Sequence, residues 1–119
     1  MNADIIAIAS PSSAPAGEQV IVDVSVTNSS DSDQYIAVTA LYNSASFPFQ
    51  FDYLLVSPGQ TVVFRGWFSM PSENVMVTAW SWAWDGSQWI HDDQITQDIA
   101  LAVLTPQISE FQILDFSKV

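Results

Sequence analysis

The chain has 119 residues, enough for one domain with a core of its own, and its 49% apolar content excludes a disordered polymer. Thirteen acids stand against only Arg65 and Lys118, a formal net charge of −11 that repels phosphate backbones and anionic lipid and so excludes nucleic-acid binding. There is no cysteine, which removes disulfides, thiolate metal sites and thiol nucleophiles, and no apolar run approaches the ~18 residues of a membrane-inserted span.

The opening stretch MNADIIAIAS lacks a basic n-region, and Asp4 interrupts its short apolar part, so it does not read as a signal peptide. The expectation is either a mature fragment carrying an added Met or a protein that leaves its cell without the secretory route, as virion proteins do by lysis. Residues 3–9, ADIIAIA, read as a first strand, followed by a Pro/Ser/Gly turn region, SPSSAPAG. Residues 18–28, EQVIVDVSVTN, alternate cleanly, with Val20, Val22, Val24 and Val26 on one side and Ile21, Asp23, Ser25 and Thr27 on the other. That is the pattern of a half-buried strand in an antiparallel sheet. A polar loop, SSDSD, leads to a third strand over 34–43.

Residues 46–56, SFPFQFDYLLV, carry Phe47, Phe49 and Phe51 in alternation, and the missing donor of Pro48 points to an edge or a strand's beginning. The Pro58-Gly59 pair in SPGQ predicts a type II turn. Strands are predicted over 61–70 and 75–84, separated by the turn PSEN. The DGS after Trp84 signals a tight hairpin, and a last long strand over 88–104 is expected to bulge near its acidic stretch. No segment of ten residues shows a helical stripe.

About seven strands joined by short turns predict an all-β fold, an immunoglobulin-like antiparallel β-sandwich over residues 1–105. Residues 106–119 form a C-terminal extension whose Phe111, Ile113, Leu114 and Phe116 are apolar enough to seek a partner. It reads as an extra strand, an exchanged arm that adds to a neighbour's sheet, or the start of a following domain.

The order of a Gly-initiated strand closed by Val26 and Asn28, a Leu55 run ending in the Pro58-Gly59 turn, then Pro71 and a long strand ending in Asp85, resembles CARDB-type immunoglobulin-like modules. These are cell-adhesion-related domains of bacteria and archaea. The resemblance begins its first matching strand at Gly17 and covers roughly residues 3–104. It implies a non-catalytic surface or spacer module, often in tandem. Three alternating tryptophans in the penultimate strand depart from that family's habit.

Catalysis finds no constellation here. The one histidine, His91, stands beside Asp92 and Asp93 with no nucleophile motif, and four glycines supply neither a P-loop nor a dinucleotide fingerprint. No cofactor is expected. Calcium takes about six to eight oxygen ligands, and the oxygen-rich NSSDSD loop with Asp85, Asp92 and Asp93 makes those three carboxylates the weak candidates for it. The spaced acidic loop of an EF-hand is absent.

The remaining question is the stretch VMVTAWSWAW. Alternation puts Trp80, Trp82 and Trp84 on one side with Met76 and Thr78, and Val75, Val77, Ala79, Ser81 and Ala83 on the other. Indoles inside would each bury on the order of 200 Å² and would suit a sandwich fold's habit of a core tryptophan. The valine row, Val62, Phe64 and Phe68 claim much of that space, so the alternation leaves both assignments open. Indoles outside form an aromatic ladder that a partner covers. Two functions follow from the outward assignment. One is assembly with copies of itself or a larger scaffold through Trp80, Trp82, Trp84, Trp89 and the apolar tail, as a structural component on a virion or microbial surface. The alternative is a carbohydrate-binding module whose tryptophans, ~7 Å apart, stack successive sugars, with Asp85, Gln88 and Asp92 for the hydroxyls.

Overall fold

The computed structural model describes residues 2–103. The predicted extension from residue 106, with Phe111, Ile113, Leu114 and Phe116, lies outside the described residues. The chain is an all-β, immunoglobulin-like sandwich of two sheets. Its strands are β1 (Ala3–Ala9), β2 (Ser13–Ala14), β3 (Gln19–Asn28), β4 (Gln34–Tyr42), β5 (Ala45–Ser46), β6 (Leu54–Val56), β7 (Thr61–Ser69), β8 (Val75–Trp84) and β9 (Trp89–Leu101). Seven have three residues or more, as the turn spacing predicts; β2 and β5 are two-residue additions.

One sheet runs β1-β3-β7 and is antiparallel throughout. The other runs β2-β9-β8-β4-β5, with β6 beside β5 on the same edge of β4. Its pairings are antiparallel apart from the short β2–β9 contact. Val20, Val22, Val24 and Val26 are fully buried and meet Val75, Val77, Ala79 and Ile36 of the facing sheet in one core. Burial of that area is the main stabilising term, and it fixes register, because a one-residue slip would turn every valine to water.

The turns follow their chemistry. In the turn 57–60, Gln60 N–H donates to the Ser57 carbonyl at 3.0 Å, and Gly59 takes the positive φ of 77° that the third position of a type II turn requires. Asn28, at the end of β3, is fully buried. Its Nδ2 donates to the carbonyls of Ser32 and Val56, its Oδ1 accepts from Ser30 N–H and Oγ, and its own carbonyl accepts from Gly59 N–H. One side chain therefore ties β3, the 29–33 loop and β6 together, while its backbone holds the 57–60 turn.

The alternation over 46–56 misleads as a strand signal. Only Ala45–Ser46 and Leu54–Val56 are strands; between them the chain crosses to the other sheet, where Phe49 bridges Gly66 of β7. Phe47 enters the core at 7% exposure, and its ring lies 5.1 Å from Phe68 and 5.2 Å from Phe49. Gly66 makes the room. A Cβ there would stand 2.6 Å from Phe47 Cε1 and 2.9 Å from Phe49 Cε2.

Candidate functional site

β8 settles the orientation of its indoles. Val75, Val77, Ala79, Ser81 and Ala83 are buried, whereas Trp80, Trp82 and Trp84 are half-buried on the outer face of their sheet. The other assignment, with the indoles in the core, does not occur, because β3 already fills the interior with its valine row.

Strand register assembles the surface around them. Trp80 pairs with Thr39 of β4 and Gln94 of β9, Trp82 with Ala37 and His91, and Trp84 with Trp89. Trp80 Nε1 donates to Gln94 Oε1 at 3.1 Å, and Trp82 Nε1 donates to Thr39 Oγ1 at 2.8 Å. Both indole donors are thus satisfied inside the sheet, and each ring is tied to a neighbouring strand. A ring held this way loses little rotamer freedom when a ligand covers it.

The two strands' ends continue the surface. Trp84 and Trp89 meet edge to face at 5.4 Å across the 85–88 hairpin. Tyr53 lies 6.2 Å from Trp89 and 5.6 Å from Tyr35, the latter nearly perpendicular. Tyr35, Tyr53, Trp84 and Trp89 line one depression of about 280 Å³. An adjoining one of about 390 Å³ shares Tyr53 and Trp89 and adds Trp82, Thr39 and the exposed Asp52. A third, of about 380 Å³, lies between Trp80, Trp82, His91 and Leu41. Tyr35, Tyr53 and Leu55, exposed by 44%, 54% and 55%, belong to this face and were not singled out from sequence. The available signal was the outward position of Tyr35 in the alternation of β4, which register places in the same transverse row as Trp84.

The candidate carboxylates are engaged in backbone hydrogen bonds. β9 bulges opposite Ser81–Trp82, as the acidic stretch predicts, and Asp92 and Asp93 turn toward β1. Asp92 Oδ2 accepts from the Asn2 and Ala3 N–H groups, both at 2.6 Å, and Asp93 Oδ2 accepts from Ile5 N–H at 2.9 Å. Buried Ser81 completes the junction: its hydroxyl donates to the Ala3 carbonyl at 2.5 Å and accepts from Asp93 N–H at 3.1 Å. Two carboxylates and a hydroxyl therefore bind β1 to the opposite sheet. Asp85 Oδ1 accepts from Ser87 N–H and Gln88 N–H, both at 2.8 Å, and those bonds hold its carboxyl below the usual aspartate range. No group of three or more His, Cys, Asp or Glu side chains suited to a metal ion occurs among the described residues.

No family model and no curated protein matches the chain. Solved structures with a similar fold do. A chain of the complex between Zinc 2-glycoprotein and prolactin inducible protein from human seminal plasma superposes with a TM-score of 0.59 at 10% identity, over 83% of this chain and 97% of that one. A FixG-related protein from Vibrio parahaemolyticus gives 0.58 at 10% identity, covering 87% and 99%. Native alpha-2-macroglobulin from Escherichia coli gives 0.58 at 18% identity over 86% of this chain but 17% of its own. Identities this low establish the sandwich fold alone.

Proposed function

We propose that this chain is a non-catalytic adhesive or structural module of the CARDB type that assembles through the outer face of β4, β8 and β9, first of all with a second copy of itself. The observation that carries this is the continuous aromatic face itself. Half-buried and exposed rings lie contiguous on one side of a rigid sheet, with the Trp80 and Trp82 indole donors already satisfied. Such a surface gains from burial against another apolar surface and asks for few new hydrogen bonds. One similar structure is itself a protein–protein complex. The CARDB resemblance supports a place on a microbial surface, and a protomer with an aromatic face to cover suits a virion or surface-layer component equally.

The carbohydrate reading ranks second. The ladder and its shallow depressions favour it, but Asp85 and Asp92, which would bind sugar hydroxyls, each already engage one carboxylate oxygen with backbone amides.

Light scattering on the full chain tests the assembly reading. The expected mass is a multiple of the single chain, falling to one chain in a Trp82→Ser/Trp84→Ser variant. A wild-type chain that stays monomeric at concentrations of ~100 µM, where even weak protein pairs associate, overturns it.

A further inference from the structure

We propose that the four-ring depression formed by Tyr35, Tyr53, Trp84 and Trp89 binds a trimethylammonium-type organic cation, with free choline as its simplest form. The inference deepens the binding-face reading and rests on it only for the outward placement of Trp84.

The geometry is a sequence of aromatic neighbours around one shallow space. Trp84 meets Trp89 at 5.4 Å, Trp89 meets Tyr53 at 6.2 Å, and Tyr53 meets Tyr35 at 5.6 Å. The space of about 280 Å³ between them is lined by these four side chains. Each ring face carries negative quadrupole density, and a cation within about 6 Å of several centroids adds their attractions.

Charge selects the ligand's sign. The chain carries a formal −11. The exposed Asp52 lies in the adjoining depression, which shares Tyr53 and Trp89, and Asp85 follows Trp84 directly in the hairpin. Arg65, the one Lys or Arg of the described residues, is bound by Asp23 on the opposite sheet, where it cannot repel a cation at this site.

The lining selects the type of cation. A primary ammonium or a guanidinium is hydrated at its N–H groups and needs acceptors to replace that water. The four side chains lining the space are all aromatic, with no carboxylate or amide oxygen among them to replace that water. A trimethylammonium group has no N–H to satisfy and presents methyl groups, so it enters this space with little desolvation cost. A phosphate attached to the same group would meet the acidic surface unfavourably, which points to the free cation rather than a phosphocholine head group.

The test titrates the full chain with choline chloride, following tryptophan fluorescence against matched sodium chloride. The controls are 3,3-dimethyl-1-butanol, which has the shape of choline without the charge, and phosphocholine. A saturable response in the roughly millimolar range is expected, with about fivefold or greater weakening for the neutral isostere, for phosphocholine and for Tyr53→Ala. Tyr53 is 54% exposed, so its replacement leaves the core intact; Tyr53→Leu, which keeps apolar bulk without a ring, is expected to weaken binding equally. Absence of a choline response from the folded monomeric chain, equal binding of the isostere, tighter binding of phosphocholine, or unchanged titration of folded Tyr53 variants overturns the proposal. Its failure is separable from that of self-assembly. Because a second copy would cover the same face, the titration is also run on Trp80→Ser/Trp82→Ser, which keeps all four rings of the depression. A wild-type monomer that binds choline contradicts assembly alone, and a folded monomeric variant that ignores choline contradicts this site alone.

Discussion

The Trp82 indole donates to Thr39 Oγ1 at 2.8 Å, and this bond ties the central ring of the aromatic face to β4. Thr39→Val keeps the side-chain shape and removes the acceptor. It is expected to cost about 1 kcal/mol of stability, the net worth of one such bond, and to shift the Trp82 indole N–H resonance toward that of a solvated indole. An unchanged resonance would mean that the ring is held by packing alone.

Asn28 is a stronger determinant of stability. Its carboxamide bonds to Ser30, Ser32 and Val56 from a fully buried position. Asn28→Leu leaves those backbone groups unpaired, so a loss of about 2–4 kcal/mol is expected in chemical denaturation, above that of any surface substitution.

Gly66 is needed for its size. A methyl group there would fall within 3 Å of Phe47 and Phe49, and Phe47 is itself a core residue. Gly66→Ala is expected to destabilise by about 1–3 kcal/mol through overpacking. Gly66→Ala/Phe47→Leu should recover part of the loss, a coupling that a denaturant double-mutant cycle measures.

Two aspartates make stability fall in acid. The Arg65 hydrogen bond lowers the Asp23 carboxyl, and the Ser87 and Gln88 amides lower that of Asp85, each from an ordinary value of 3.8. A carboxyl lowered in the folded state contributes stability that is present above its unfolded value and lost as pH falls through the folded one. Denaturation midpoints should therefore decline below about pH 4, with a shallower decline in Asp85→Asn and in Asp23→Asn. Both effects are small, because the Arg65–Asp23 pair and the hairpin lie at the surface.

The junction at β1 predicts a local effect. Asp92 alone accepts the Asn2 and Ala3 amides. Asp92→Ala should speed hydrogen exchange at Asn2 and Ala3 while leaving the β3–β7 amides protected, because the loss is confined to one edge of the fold.

Much of this fold was legible because alternation is a local signal. The valines of β3 are each fully buried, and the Pro58-Gly59 and Asp85-Gly86 turns lie where their residues place them. Alternation failed over 46–56, where Phe47 and Phe49 answer to the gap at Gly66 on another strand rather than to a ladder of their own. The roles of Asp92 and Asp93 were hidden for the same reason. Their acidity suggests a cation, while their partners are amides about ninety residues away, and no local pattern reports such a contact. For the aromatic face, the tryptophan row could be read from β8, but the addition of Tyr35 and Tyr53 depends on register between strands.

The outward placement of the indoles carries the account, and nuclear Overhauser contacts test it most directly. The Trp80 and Trp82 ring protons should show contacts to Gln94, Thr39 and His91, and the Val77 methyls should fall within the network of the β3 valines. Contacts from the Trp80, Trp82 or Trp84 rings to Val20, Val22 or Val24 would place the ladder in the core and contradict it.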